Sequence, residues 1–291
     1  MIRKLFLQFT LLLLSSSAFA NINVIVPFSA GGAIDKIARE FSAFVKIKTG
    51  QNISVENKVG AGSVIGTTAL VSAGRSDNTI MITSSSFFNN IADSKFKKEE
   101  FTLISVLGIN PYVLVAPSLK NLSCEDIKNK NRQFFVGSAG KGSASDSAAE
   151  ILISKYQNFT LVPYKGISQV LTDLIPGRLD FTFTSGLKNR EDLKVLATTT
   201  TSEFYKGMPN WKSCLGIDVN YYGEYLIVSQ SSASEDFVKK INDLAVEFVK
   251  QQDVIEQFKQ DGIQPLSYNL KEVNDYYSTS LSNWKKILKK N

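Results

Sequence analysis

The apolar positions of this chain fall into two rhythms, and the change from one to the other comes at turns rich in glycine and serine. Residues 22–27 read as a short buried strand and residues 29–32 are all small. From residue 33 to 48, Ile34, Ile37, Ala38, Phe41, Phe44 and Val45 form one stripe at helical spacing, ended by Gly50. The succession returns with a strand at 53–56, a glycine-rich turn at 57–63 and an apolar, helix-like run at 64–73. A third strand, 80–83, runs into Ser84-Ser85-Ser86, where the next helix should begin. Three strand–turn–helix units in a row predict a parallel sheet with helices on its faces.

Residues 101–117 are strand-like, broken by Gly108 and Pro111, and read as the crossing into a second domain. That domain repeats the alternation. A helix near 124–130 precedes a strand at 134–137, the loop 138–142 and a helix at 143–156. A helix at 167–174, the turn Pro176-Gly177-Arg178, a strand at 179–184 ending in Ser185-Gly186, and a strand at 194–197 follow, and then an irregular stretch through residue 219. The strand 222–229 returns to the first domain, followed by amphipathic helices at 235–251 and 271–289. The expected division is a first domain of residues 21–107 and 222–291 and a second of 108–221.

In open parallel sheets ligands sit beyond the carboxyl ends of the strands, and the turns of both halves lie at that edge. The 29–32 turn has few side chains, so its N–H groups and the unpaired donors of the following helix stay accessible to a carboxylate or phosphate. An ordinary turn with glycines for packing has the same composition. Near-matches to nucleotide motifs fail on spacing: Gly60, Gly62 and Gly66 are spread too widely, and Gly140-Lys141 is followed by Gly142 instead of a hydroxyl residue. Ser143 with Asp146 fits a capping-box-like helix start, and the same two side chains could face a ligand.

Composition narrows the chemistry further. Arg3 and Lys4, an apolar run over 5–14 and Ala18-Phe19-Ala20 read as a secretory signal peptide cleaved after Ala20, so an exported protein is expected. Its removal lowers the formal net charge from +6 to +4, and scattered lysines argue against nucleic-acid binding. Lysines at the carboxyl end suit the helix dipole, and a membrane-docking role is the alternative. The chain has no histidine, which excludes Ser–His and Cys–His nucleophile pairs and histidine-bound zinc. Cys124 and Cys214 enter an oxidising compartment and either pair or remain two buried thiols.

Four stretches in this order resemble one family, the extracytoplasmic solute receptors of tripartite tricarboxylate transporters, often called Bug receptors. They are residues 27–35 with Ala38-Arg39; residues 56–62 with Ile65-Gly66; residues 162–166; and Asp173-Leu174 with Gly177 and Asp180. The resemblance covers nearly the whole mature chain. It implies a two-domain periplasmic binding protein of α/β class, a Venus flytrap of type II-like form, each domain a mainly parallel sheet flanked by helices. The two domains would close on a small organic carboxylate or amino acid, held by backbone groups and ordered waters and not by an arginine, with no cofactor and no metal. The partners implied are the membrane permease subunits, and the receptor itself is expected to be a monomer. The ligand-binding residues carried over are Phe28, Ser29, Ala30, Gly31, Gly32 and Asp35 of the first turn, Ala61 and Gly62 of the second, and Ser84 and Ser85 of the third. From the second domain come Ser138, Gly140, Ser143 and Asp146, with Tyr164 and Ser185. Ala30 and Val59 replace usual prolines, and Ser63 a usual glycine. Asp146 stands where histidine is common, which by charge repulsion would disfavour a simple dicarboxylate and suit a ligand with an ammonium or hydroxyl donor. An orphan sensor component and an exported enzyme on the same fold are the alternative functions.

Overall fold

The computed structural model describes residues 21–74, 77–185, 190–199, 205–218 and 221–289. The expected signal peptide, Gly186, residues 200–202 and Lys290 lie outside them. The first half alternates as the periodicity predicts: β1 (Ile22–Val26), α1 (Ala33–Thr49), β2 (Ile53–Asn57), α2 (Val64–Ser72), β3 (Thr79–Thr83) and α3 (Ser86–Ala92). β4 (Phe101–Pro117) follows, then α4 (Cys124–Ile127), β5 (Phe134–Ser138), α5 (Ala144–Lys155), β6 (Phe159–Pro163), α6 (Ile167–Leu174), β7 (Phe181–Ser185), β8 (Leu193–Thr198) and α7 (Trp211–Leu215). β9 (Tyr222–Gln230), α8 (Glu235–Phe248), α9 (Gln252–Gln260), β10 (Gln264–Pro265) and α10 (Leu270–Lys289) complete the chain.

Two parallel triplets, β2-β1-β3 and β7-β5-β6, are joined through the long antiparallel strands β9 and β4 into one path. The sheets are therefore mixed, each a parallel half completed by antiparallel strands. β4 is the shared element. Its first part, to Pro111, pairs with β9, and from Tyr112 onward it pairs with β7 and β8. The expected break at Gly108 and Pro111 does not occur. Register shifts between Leu103 and Ser105 and between Val106 and Gly108 absorb the irregular residues instead. The expected helix 235–251 ends earlier, at Phe248, with α9 starting anew at Gln252, and the stretch read as irregular holds α7.

Alternation along the strands sorts the core into faces. Val24, Ile80, Ile82, Tyr225 and Ile227 point to α1, α8 and α9, where Phe41, Phe248 and Phe258 pack. Val113 and Val115 face α6 through Val170 and Leu174. The opposite faces of both halves share one continuous core, running from Met81, Phe87 and Trp284 to Phe134, Phe181 and Trp211. The two cysteines are bonded: Cys124 at the start of α4 is joined to Cys214 on α7, with Cα atoms 5.1 Å apart.

Candidate functional site

The turns after β1, β2, β3, β5, β6 and β7 all lie at the carboxyl ends of the parallel strands. In the first turn Ser29, Ala30, Gly31 and Gly32 are exposed and Phe28 is half-buried. Gly31 takes φ +79 and Gly32, the helix cap, φ −77 and ψ 167. The amides of Ala33, Ile34 and Asp35 belong to the first turn of α1, where no helical carbonyl can accept them.

Asp35 is almost fully buried and does not face solvent. Its Oδ2 accepts the Gly31 N–H and the Arg39 Nε–H, each at 2.9 Å, and its Oδ1 accepts the Asn57 amide at 2.8 Å. Asn57 donates also to the Phe28 carbonyl at 2.9 Å. Burial works to raise the Asp35 carboxyl, but the bonds from Arg39, Gly31 and Asn57 together hold it down to about 2. Asp35 is thus the internal post of the turn, and Arg39 is spent on holding it.

The turn after β5 repeats this device. Gly142 has φ +80, and the cap Ser143 has φ −76 and ψ 162, the conformation of Gly31 and Gly32 over again. Asp146, four residues after Gly142 as Asp35 is after Gly31, accepts the Gly142 N–H at 2.9 Å and the Ser138 hydroxyl at 2.7 Å. The expected capping box is half formed: the Ser143 hydroxyl accepts the Asp146 N–H, and the carboxylate goes elsewhere. Asp146 is 3% exposed, and each of its oxygens accepts one hydrogen bond within its own loop.

The remaining candidates divide. The Ser86 hydroxyl donates to that of Ser63, which also takes the Asn90 amide, and Ser84 lies 3.1 Å from Ser86, so the second and third turns are laced together. Ser85 faces inward, donating to the Tyr222 carbonyl and accepting the Glu224 N–H. Gly140 packs on the Tyr164 carbonyl, and the Tyr164 hydroxyl donates to Asp173 at 2.7 Å, so it is already committed. Burial and then the Asp173 carboxylate push that phenol up to about 12. Ser185 lies against Gly223 of β9.

Turns from the two halves meet. A Cβ built on Gly62, where φ is +59, would stand 2.7 Å from the Gly142 carbonyl carbon and 2.9 Å from the Lys141 oxygen. Asn89 of α3 spans the same gap, donating to the Gly142 carbonyl at 2.8 Å and accepting the Ser147 hydroxyl at 3.2 Å. Ala61, beside Gly62, is exposed. Asn57, Asn89 and Asn90 escaped the sequence reading as site residues. Their partners in other elements lie 18 to 58 positions away, and only the presence of Asn57 inside a turn motif hinted at a role. Among the described residues no cluster of acidic or cysteine side chains could hold a metal, and no helix is long and apolar enough to cross a membrane.

Comparison with known proteins adds relatives along most of the chain. The profile described as tripartite tricarboxylate transporter family receptor matches residues 37–291. A protein of Pseudomonas sp. strain P51, called UPF0065 protein in tcbD-tcbE intergenic region, is 26% identical over 289 residues, covering 91% of this chain and 84% of that protein. BugT of Bordetella pertussis is 31% identical over 168 residues, 54% of this chain and 52% of BugT. Among solved structures, the periplasmic binding protein BugD superposes with a TM-score of 0.79 at 21% identity, covering 93% of this chain and 97% of BugD. MatC from Rhodopseudomonas palustris with bound malate gives 0.80 at 21% identity over 92% and 99%. Rpa4515 of R. palustris with adipate gives 0.81 at 19% over 93% and 97%.

Proposed function

The chain belongs to the tripartite tricarboxylate transporter receptor family, and from that premise we propose that it is a periplasmic receptor that captures a small organic carboxylate between two lobes. The lobes are the two sheet systems joined by β4 and β9, with residues 21–107 and 222–291 in one and 108–221 in the other. Closure brings the turn before α1 opposite the turn before α5. The observation that carries the reading is the repetition of one donor turn, glycine at positive φ, extended cap and buried aspartate, at the head of a helix in each lobe. Such a helix start favours an anion through its free N–H groups and its dipole.

A dicarboxylate fits two such turns, one carboxylate to each. Asp146 does not oppose this, because Asp35 occupies the same place in a turn of the same shape, and each carboxylate is turned toward donors on the inner side of its loop. The malate and adipate carried by MatC and Rpa4515 are dicarboxylates, which supports the class. The loaded receptor would deliver its ligand to the permease subunits of a tripartite transporter. Capture with no catalysis accords with a chain that has no histidine.

The test is a thermal-shift screen of the mature protein against malate, adipate, citrate, monocarboxylates, amino acids and sugars. A ligand at a hundredfold excess over its Kd stabilises by about 2.7 kcal/mol, which raises Tm by roughly 5–10 °C in a protein of this size. Saturable shifts confined to organic acids support the proposal. A shift with sugars or amines alone overturns it.

A further inference from the structure

One carboxyl group stands apart from the turns. Glu224 of β9 is 3% exposed and sits just before the ladder leaves the first sheet. It pairs with Ile109 of β4, Tyr222 pairs with Pro111, and Tyr112 is already paired with Ser185 of β7. The Glu224 N–H donates to the Ser85 hydroxyl at 3.0 Å, and that hydroxyl donates to the Tyr222 carbonyl at 2.7 Å. One serine therefore ties the strand crossing to the turn after β3.

The carboxyl itself lies under α10. Its Oε1 accepts the Tyr276 hydroxyl at 2.8 Å, while Oε2 is buried and has no hydrogen bond among the described residues. Ser85, Ser280 and Trp284 stand close enough to favour the ionised form but do not give that oxygen a bond of ordinary geometry. The titratable groups facing this position are Tyr276 from α10 and Tyr221 just ahead of β9. Tyr221 in turn faces Tyr112 of β4 and Asp146 of α5. None is a cation, and among the described residues no lysine or arginine offsets the charge of Glu224.

We propose that Glu224 is a proton-operated switch at the crossing of the two lobes: its neutral carboxyl keeps the crossing dry and the lobes together, and its ionised form draws in water and favours their separation. The switch rests on the two-lobed receptor reading above. Burial, opposed by the surrounding donors, places the carboxyl at about 7. The chain has no histidine, so no side chain at its ordinary pKa changes charge between pH 5 and 8. Among the described residues only Glu150, exposed on α5, has a carboxyl also pushed upward, by partial desolvation and then by Asp146 and Asp93. Proton-linked motion in that range therefore has few sources.

The reporter is already in place. Both tryptophans of the chain belong to this cluster: Trp211 and Trp284 pack on Tyr221 with ring centroids 5.9 and 4.8 Å away. The experiment follows tryptophan emission and the radius of gyration by small-angle scattering on ligand-free mature protein from pH 5.5 to 8.5. The expected result is a one-proton transition in both signals near neutrality, retained in Glu150→Gln and absent in Glu224→Gln, which stays compact throughout. Tyr276→Phe removes a bond that favours the ionised form, so its midpoint moves to higher pH. That variant carries the test should Glu224→Gln not fold. A radius that does not change with pH, even if emission does, overturns the switch, as does an unaltered transition in Glu224→Gln or an unmoved midpoint in Tyr276→Phe. Since no ligand is present, failure here leaves carboxylate capture standing, and failure to bind any carboxylate leaves this result standing.

Discussion

Asp35 and Asp146 are each buried beneath a turn, and each accepts the N–H of that turn's positive-φ glycine. Asp35→Ala strands the Gly31 N–H, the Asn57 amide and the Arg39 guanidinium, and should cost about 2–3 kcal/mol in chemical denaturation. Its pH signature follows from a carboxyl held below the usual 3.8 at about 2. The stabilisation is fully present above the unfolded value of 3.8 and is lost as pH falls through about 2, so wild type and Asp35→Ala should converge in acid. An unchanged gap at pH 2 would show that the post works by shape alone. For Asp146→Asn the geometry reverses the expectation drawn from charge repulsion. The amide can no longer accept from both Ser138 and Gly142, the loop loosens, and binding of a dicarboxylate should weaken about tenfold instead of improving. Calorimetry on the two proteins decides it, and tighter binding by the variant would restore a direct electrostatic role.

Helices, strands and turns were largely legible because each is written locally. The stripe from Ile34 to Val45 gave α1 to within a residue, and Ser143 marked the start of α5. What a residue would touch across the fold was not. Asn57 and Asn89 look like ordinary loop and helix polar residues until partners 22 and 53 positions away arrive. The unbroken course of β4 was hidden because a bulge leaves no periodic trace, and α7 because five residues are too few to show a helical stripe. Gly62 tests the meeting of loops directly. Gly62→Ala must adopt φ near +59 and push its methyl into the Gly142 backbone. Roughly 1–2 kcal/mol of strain should appear, together with a larger radius of gyration in ligand-free protein and unchanged circular dichroism. A radius equal to wild type would mean that the contact does not hold the lobes. The Cys124–Cys214 bond closes a separation of 90 residues. In the chain-entropy model its loss costs roughly 3–5 kcal/mol, so unfolding with and without reductant should differ by that much. Coincident unfolding curves would assign the bond no role in stability.

At the scale of the whole molecule the pH dependence of stability should turn on Glu224. Its carboxyl is raised by burial from the usual 4.5 to about 7. Below 4.5 both folded and unfolded chains hold the proton, between 4.5 and 7 only the folded chain does, and stability therefore falls as pH rises across that window. The loss is on the order of 3 kcal/mol and should vanish in Glu224→Gln, as measured by denaturant unfolding at pH 5 and 7.5. Equal slopes in the two proteins would place the titrating group elsewhere. No pattern along β9 announced this residue, since an acid between Gly223 and Tyr225 reads as one more polar position until α10 covers it. The α/β architecture, by contrast, followed from the repeated strand–turn–helix units and is shared with BugD and MatC over more than nine-tenths of the chain. Whether the repeated donor turns act together is the central claim, and a calorimetric titration of the mature protein tests it most directly, comparing malate and adipate with monocarboxylates of matched length. Two turns that each take a carboxylate predict binding at least tenfold tighter for one of the dicarboxylates than for its monocarboxylate counterpart. Equal affinity for the two, or binding of neither dicarboxylate beside a tight-binding amine, would contradict it.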